Sequence, residues 1–444
     1  MDTPIVDFVK KYADGDIVRL HMPGHKGKDF IGCEKYDITE IMGADSLYEA
    51  QGIIAKSEEN ASRIFGTART VFSVEGSSQC IRAMVSLAVM GRKENMSRVI
   101  LAARNAHRAF IYACALADAD IEWLYPESGN NSICSCEISS EILENKLHKM
   151  DAVPAAVYVT TPDYLGNRLD IASLSEVCHR YGTILIVDNA HGAYLHFLKN
   201  PAHPMDLGAD MCCDSAHKTL PALTGAAYLH INADAPEFFM ENAKTAMAMF
   251  GSTSPSYLIL SSLDMCNKYL YESCAEELDG CVKHVQTLKN ELAKNGWKLI
   301  GNEPLKITVA APDKMSGSKL ADKLRANGVE CEYADPEYVV LMITPHNDKY
   351  GLDKAVKALG INNLPYNDVT LPIIVSKKAM SVRQALFSKS ETVNVKDSVG
   401  RICAYPTVCC PPAITIVVSG EIITGEAIEL FNYYGIDSVN VLKQ

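Results

Sequence analysis

The apolar positions of the chain fall into short runs that are separated by helix-like stretches. Between residues 71 and 231, such runs lie at 99–101, 155–159, 184–187, 211–212 and 226–231. Alternation of this kind predicts a mostly parallel sheet that is covered by helices on both faces. We therefore expect an α/β fold with a three-layer αβα large domain. Polar residues at the carboxyl ends of its strands should converge on one crevice.

The pattern changes after residue 256. Apolar positions recur at helical spacing to about residue 299, which predicts helices there. Further along the chain, the patterns indicate a strand at 305–310, a helix at 318–327, a strand at 330–343 and a strand at 414–418. We interpret this part as smaller units that follow the large domain.

The length of the chain also bounds its organisation. At 444 residues it is too long for one ordinary core. We predict a large domain with the amino-terminal segment at 1–280, a small α/β domain at 281–365 and a carboxyl-terminal domain at 366–444.

Composition narrows the class of protein. Hydrophobic residues make up 48% of the chain and charged residues 22%, and no run of eighteen apolar residues occurs, so we expect a globular protein without a membrane partner. The net charge of −12 argues against nucleic acid and is compatible with a cationic substrate. The fifteen cysteines form no disulfide framework and lack the spacing of zinc ligands, so we expect a cytoplasmic protein without a metal site.

One lysine stands out as candidate chemistry. Lys218 ends the segment Ser215-Ala216-His217-Lys218 between two apolar runs, where we expect a loop at a sheet edge. Thirty residues earlier, the run at 184–187 is followed by Asp188. A lysine amine can bond to the aldehyde of pyridoxal phosphate, and a carboxylate can keep a proton on its pyridine nitrogen. Most lysines are solvated surface charges, but this pair together predicts a pyridoxal phosphate site.

Two further features are compatible with that cofactor. Gly76-Ser77-Ser78 lies between a predicted strand and a predicted helix, where backbone N–H groups and hydroxyls suit a phosphate. The same tripeptide also serves elsewhere as a plain helix cap. His107 follows the apolar run at 99–102 and could stack on the pyridine ring, although a loop histidine satisfied by its neighbours would have the same pattern.

With these residues in hand, nearly the whole chain resembles the Orn/Lys/Arg decarboxylase family, the basic amino acid decarboxylases of the aspartate aminotransferase fold type. The resemblance begins with Arg19-Leu20-His21-Met22-Pro23-Gly24-His25-Lys26-Gly27. Its most specific segments are Val187-Asp188-Asn189-Ala190-His191-Gly192-Ala193 and Ser215-Ala216-His217-Lys218-Thr219-Leu220-Pro221.

The resemblance implies a role for each candidate. Ser77 and Ser78 would hold the phosphate, His107 would stack on the ring, Asp188 would pair with the pyridine nitrogen, and Lys218 would carry the cofactor. The further cofactor contacts would be Gly76, His191, Ser215, His217, Ser252 and Thr253. The last two lie in a segment that often reaches the phosphate of a neighbouring subunit in this fold type, so a homodimer or higher homo-oligomer is expected. The same hydroxyls could instead cap the helix that follows.

Some features depart from the family pattern. Asn189 stands where many members have an acidic residue, and residues 404–412 replace a tighter Tyr-Pro-Pro-Gly-type run. The amino-terminal signature begins within the first twenty-five residues, so we expect the short form without the wing domain of larger bacterial members.

The implied reaction is α-decarboxylation of a basic amino acid in polyamine-type metabolism, with Lys218, His217 or His191 as the proton donor at Cα. The cofactor motifs alone leave open another enzyme of this fold type, such as a lyase or aminotransferase, or an inactive paralogue. A basic substrate needs an anion at its far end. The candidates for that role are Glu332, Asp335 and Glu421.

Overall fold

A computed structural model describes residues 1–127, 132–366, 369–409 and 413–443. The helices are α1 (Pro4–Ala13), α2 (Ile53–Phe65), α3 (Ser77–Met90), α4 (Arg108–Ala117), α5 (Ser140–His148), α6 (Ile171–Arg180), α7 (Ala216–Thr219), α8 (Glu237–Ala248), α9 (Tyr257–Glu272), α10 (Cys274–Lys294), α11 (Gly317–Ala326), α12 (Lys349–Leu359), α13 (Val382–Leu386) and α14 (Gly425–Tyr433).

The strands are β1 (Arg69–Ser73), β2 (Val99–Ala103), β3 (Asp120–Leu124), β4 (Ala156–Thr160), β5 (Leu185–Asp188), β6 (Met211–Asp214), β7 (Ala227–Ile231), β8 (Leu299–Ile300), β9 (Lys306–Ala310), β10 (Tyr333–Ala334), β11 (Tyr338–Met342), β12 (Ser390–Asn394), β13 (Thr407–Cys409), β14 (Ile414–Val417) and β15 (Ser438–Leu442).

The main sheet has seven strands in the order β1-β7-β6-β5-β4-β2-β3. The pairs β2–β3, β2–β4 and β5–β6 are parallel, which confirms the prediction of an α/β fold with a mostly parallel sheet. Strand β7 instead pairs antiparallel with β6 and with β1, an arrangement that the sequence pattern did not predict. The connection from β6 to β7 carries only the four-residue helix α7, whereas a parallel connection has to cross the sheet.

The chain forms two compact units, one of residues 1–94 and 184–276 and the other of residues 95–183 and 277–444. In the first unit every residue of β5 and β6 is buried, which explains their uninterrupted apolar runs. The segment around Lys218, predicted as a loop, forms α7 at the end of β6. The predicted helical stretch after residue 256 is confirmed by α9 and α10.

The second unit contains β2, β3, β4 and a four-stranded sheet in the order β10-β11-β9-β8. The prediction of one strand at 330–343 is wrong, because the chain turns between β10 and β11, which pair antiparallel. Asp335 makes this turn, since its Oδ1 accepts the N–H groups of Glu337 at 2.8 Å and Tyr338 at 2.7 Å. Such short side-chain bonds to the backbone are typical of Asp in turns.

Among the described residues, no helix is both long and apolar enough to cross a membrane. The three predicted domains and the two boundaries between them are not tested by these observations and stay predictions.

Candidate active site

Lys218 lies on α7, directly after β6, and is partly buried. Its Nζ is 3.1 Å from Nε2 of His191, which is itself 4% exposed. The backbone N–H of Lys218 donates to the carbonyl of Ser215 at 3.0 Å and so closes the first turn. The structure therefore holds the lysine amine against an imidazole, a partner with which it can share a proton.

Asp188 is the last residue of β5 and is 3% exposed. Its Oδ1 accepts the N–H of Ala190 at 3.2 Å and lies 3.8 Å from Sγ of Cys213. Asp188 and Cys213 are register partners of the parallel pair β5–β6. Because the carboxyl ends of parallel strands share one sheet edge, Asp188 and the turn that carries Lys218 open at the same edge.

The amino end of helix α3 has the hydroxyl and backbone groups that suit a phosphate. At its amino end, Oγ of Ser77 is 2.8 Å from Oγ of Ser215. Gly76 precedes the helix with φ of 71°, a value that favours glycine, and its N–H donates to the carbonyl of Gly225 at 2.8 Å. At Gly225, with φ of +98°, a Cβ would lie 3.0 Å from the carbonyl oxygen of Val74. Two loops thus meet where hydroxyls and a helix amino end converge, which suits an anion.

The other predicted cofactor contacts of the first unit lie near these residues or in the segment before α9. Nδ1 of His217 is 3.0 Å from the carbonyl oxygen of Ala226, to which it can donate, and Ser78 is the second residue of α3, partly buried. Ser252 and Thr253 lie in the exposed segment before α9. The first unit therefore brings together Lys218 with His191 and Ser77 with Ser215.

A buried carboxylate that sequence reasoning missed lies beneath these turns. Oδ2 of Asp214 is 3.0 Å from Nε2 of His203 and 3.1 Å from Nε2 of His230, and its Oδ1 accepts from Nδ2 of Asn189 at 2.6 Å. Burial alone would raise the pKa of Asp214, but the two histidines beside its carboxylate outweigh burial and hold the pKa well below its usual range. One signal was available: His230 interrupts a buried apolar strand, where a polar group needs a partner.

His107 belongs to the second unit. It follows β2 and caps α4, because its Nδ1 accepts the N–H of Ala109 at 3.1 Å. Its backbone also forms an isolated bridge with Ile414. Stacking on a pyridine ring stays a prediction for this residue.

The three candidate substrate carboxylates also lie in the second unit, and each has a protein partner. Glu332 accepts from the hydroxyl of Tyr164 at 2.7 Å. Asp335 is 4% exposed, accepts from the hydroxyl of Tyr333 at 2.9 Å and makes the turn described above. Their role in reading a distal cation stays a prediction.

Glu421, the third candidate, is 4% exposed. Its Oε2 pairs with Nη2 of Arg104 at 3.0 Å and accepts the N–H of Val418 at 2.8 Å, and its Oε1 accepts from Nε1 of Trp123 at 3.1 Å. The guanidinium of Arg104 also stacks over the Trp123 ring, 4.6 Å from its centroid. This carboxylate therefore links strands and loops that lie far apart in sequence.

We expect Glu421→Gln to lower the free energy of unfolding, since it leaves the arginine charge buried without its counter-charge. Breaking a buried pair on one side costs about 3 kcal/mol or more. Urea denaturation measures the change, with the exposed Glu426→Gln as the matched control. A variant of unchanged stability with a raised KM would instead favour the predicted substrate role.

The fold of this chain is similar to that of solved structures. The lysine decarboxylase of Francisella novicida has a similar structure, with a TM-score of 0.82 and 16% identity over 99% of this chain and 81% of that one. The fold is that of the pyridoxal-phosphate-dependent enzymes of fold type I.

Comparison of sequences gives the family. The family model for the Orn/Lys/Arg decarboxylase major domain matches residues 3–352, and that for the C-terminal domain matches residues 365–437. The chain belongs to the Orn/Lys/Arg decarboxylase family and is a decarboxylase of that kind. An arginine decarboxylase of Bacillus subtilis is 29% identical over 464 residues, covering 96% of this chain and 92% of its own length. One of Halalkalibacterium halodurans is 30% identical over 458 residues, covering 95% and 91%.

Proposed function

We propose that this protein removes the α-carboxylate of arginine, lysine or ornithine with pyridoxal phosphate held on Lys218, and releases carbon dioxide and the corresponding amine. The observation that carries the proposal is the shared sheet edge of Asp188, Lys218 and the Ser77–Ser215 pair. Relatives named arginine decarboxylase, and a lysine decarboxylase of the same fold, support a basic substrate. Amines of this kind suit polyamine-type metabolism in the cytoplasm.

The residues at the sheet edge fit this cofactor. Ser77, Ser78 and Ser215, with the backbone at Gly76, would hold the phosphate. Asp188 would face the pyridine nitrogen, and Lys218 would bond to the aldehyde, while His107 would stack on the ring. When bound, the cofactor supplies a sink for the electron pair that stays on Cα after carbon dioxide departs.

The pair of Lys218 and His191 suits the handling of the proton that Cα must gain. At 3.1 Å, the amine and the imidazole can pass a proton between them. His217 is a second candidate donor, with its Nδ1 directed to the carbonyl of Ala226. Any of these three groups could deliver the proton at Cα.

A substrate panel tests the function. Purified protein with added pyridoxal phosphate is incubated separately with arginine, lysine, ornithine and glutamate, each labelled in the α-carboxylate. The labelled carbon dioxide is counted, and the product amine, which keeps no label, is quantified by chromatography. We expect equal amounts of both products from at least one basic amino acid and none from glutamate. Formation of a keto acid without carbon dioxide would contradict the proposal.

We also propose that the working unit is at least a homodimer, with Ser252 and Thr253 reaching the phosphate of the partner subunit. Both residues are exposed in the single chain, and Oγ of Ser252 accepts the N–H of Ser254 at 3.1 Å. Sedimentation at assay concentration is expected to show a dimer or a larger oligomer. A monomer that keeps full activity would contradict a shared site.

A further inference from the structure

We propose that Asp214 is a positioning residue that holds the turn after Asp188 in register with the turn that carries Ser215 and Lys218. The inference rests on the proposed function, because that function gives both turns their cofactor contacts. Asp214 itself would touch neither cofactor nor substrate. It would act through Asn189, which follows Asp188 directly in the chain.

The link between the two turns consists of two hydrogen bonds. Nδ2 of Asn189 donates to Oδ1 of Asp214 at 2.6 Å, and the backbone N–H of Asn189 donates to the carbonyl of Cys213 at 3.0 Å. The side chains of Asn189 and Asp214 are 0% exposed, so water does not compete for the side-chain bond. The bond therefore joins the residue after Asp188 to the residue before Ser215.

The other oxygen of Asp214 is fixed from behind. Nδ1 of His203 accepts the N–H of Met205 at 3.3 Å, which leaves its Nε2 to donate to Oδ2 of Asp214. Nδ1 of His230 is 2.8 Å from the hydroxyl of Thr70, so the same tautomer lets its Nε2 donate to the same oxygen. Asp214 thus receives three donors and has no freedom to turn, which suits a buried anchor.

These hydrogen bonds also explain why two histidines and a carboxylate, residue types that often bind metal ions, lie together here. His203, Asp214 and His230 could hold an ion, with ligand atoms within 4.8 Å of one another. Each of the ring nitrogens named above already has a hydrogen-bond partner. The geometry is therefore explained by hydrogen bonds alone.

Positioning matters for rate because a small displacement of a reacting group from its productive geometry slows the reaction strongly. Asn189→Ala removes the side-chain bond of this link, keeps the backbone bond to Cys213 and leaves Asp214 with its histidines. We expect it to weaken cofactor affinity and to lower kcat, each by roughly ten- to a hundredfold, the loss of one hydrogen bond to a charged group. The matched control is Asn267→Ala, since Asn267 is equally buried in the same unit but bonds to Tyr228 and Ser57. The control should lower the melting temperature and leave kcat and cofactor affinity unchanged.

Asn189→Asp tests the positioning role through the pH dependence of kcat and cofactor affinity, which a merely structural role would leave unchanged. Two carboxylates at this distance keep the bond only while they share one proton. As pH rises that proton is lost, so kcat and cofactor affinity of the variant should fall towards those of Asn189→Ala. At low pH, kcat and cofactor affinity of Asn189→Asp should approach those of the unaltered protein. The ratio of kcat between the unaltered protein and the control Asn267→Ala should stay the same at every pH.

Three results would overturn the proposal. The first is that Asn189→Ala and Asn267→Ala lose the same amount of stability and have the same kcat and the same cofactor affinity. Another is a pH profile of Asn189→Asp that runs parallel to that of the unaltered protein. The third is a stoichiometric metal ion in the purified protein that Asp214→Asn removes. Cofactor affinity is measured by absorbance without any substrate, so the positioning role can be judged even if decarboxylation of basic amino acids fails.

Discussion

Replacement of Lys218 by alanine is expected to remove covalent attachment of the cofactor and to lower decarboxylation by at least about a thousandfold, the scale on which a positioned proton-transfer group contributes to rate. The physical reason is that this amine is the only group on α7 that can bond to an aldehyde, and it is held 3.1 Å from His191. Steady-state release of labelled carbon dioxide measures the loss.

The exposed Lys199→Ala in the same unit is the matched control and should keep full activity. Melting temperatures of both variants should stay close to that of the unaltered protein in the absence of cofactor. If Lys218→Ala retains activity within tenfold, the assignment of the lysine is wrong.

Asp188→Asn should reduce turnover by about a hundredfold or more while cofactor binding changes much less. The substitution keeps the shape of the side chain and its bond to the N–H of Ala190 but removes the charge that stabilises a proton on the pyridine nitrogen. A charge-assisted hydrogen bond is about twice as strong as a neutral one, and each factor of ten in rate corresponds to about 1.4 kcal/mol. Parallel titration of cofactor and measurement of kcat separate the two effects.

A purely structural Asp188, fixing the end of β5, would lead to a different result. The variant would then lose stability without a selective loss of kcat. The exposed Asp234→Asn provides the control for removal of one negative charge from this unit. Near-normal turnover with asparagine at position 188 would refute the electronic role.

Much of the fold could be predicted because strands buried on both faces leave uninterrupted apolar runs. The runs that became β2, β4, β5, β6 and β7 were located within one or two residues. The reversal of β7 was missed because strand direction depends on how the chain crosses the sheet, which hydrophobicity alone does not encode. The turn at Asp335 was missed because the residues on both sides of it are strand-like, although Asp335 and Pro336 are residue types that favour turns.

Part of the candidate site could likewise be proposed from the sequence, and part of it could not. Lys218 and Asp188 could be proposed as candidates because an apolar run precedes each of them; Asp188 ends β5 and Lys218 lies on the short helix after β6. The anchor around Asp214 depends on His203 and His230, whose contacts arise from folding rather than from spacing along the chain. The pairing of Glu421 with Arg104 joins residues 317 positions apart, so its burial could not be inferred from the glycine that precedes it.

The most direct test of the account is to find which residue carries the cofactor. Protein loaded with pyridoxal phosphate is reduced with borohydride, digested and mapped by mass spectrometry. The account predicts a reduced cofactor adduct on the peptide that contains Lys218, and its disappearance in Lys218→Ala. A stable adduct on another lysine, or an adduct that persists in the variant, would contradict it.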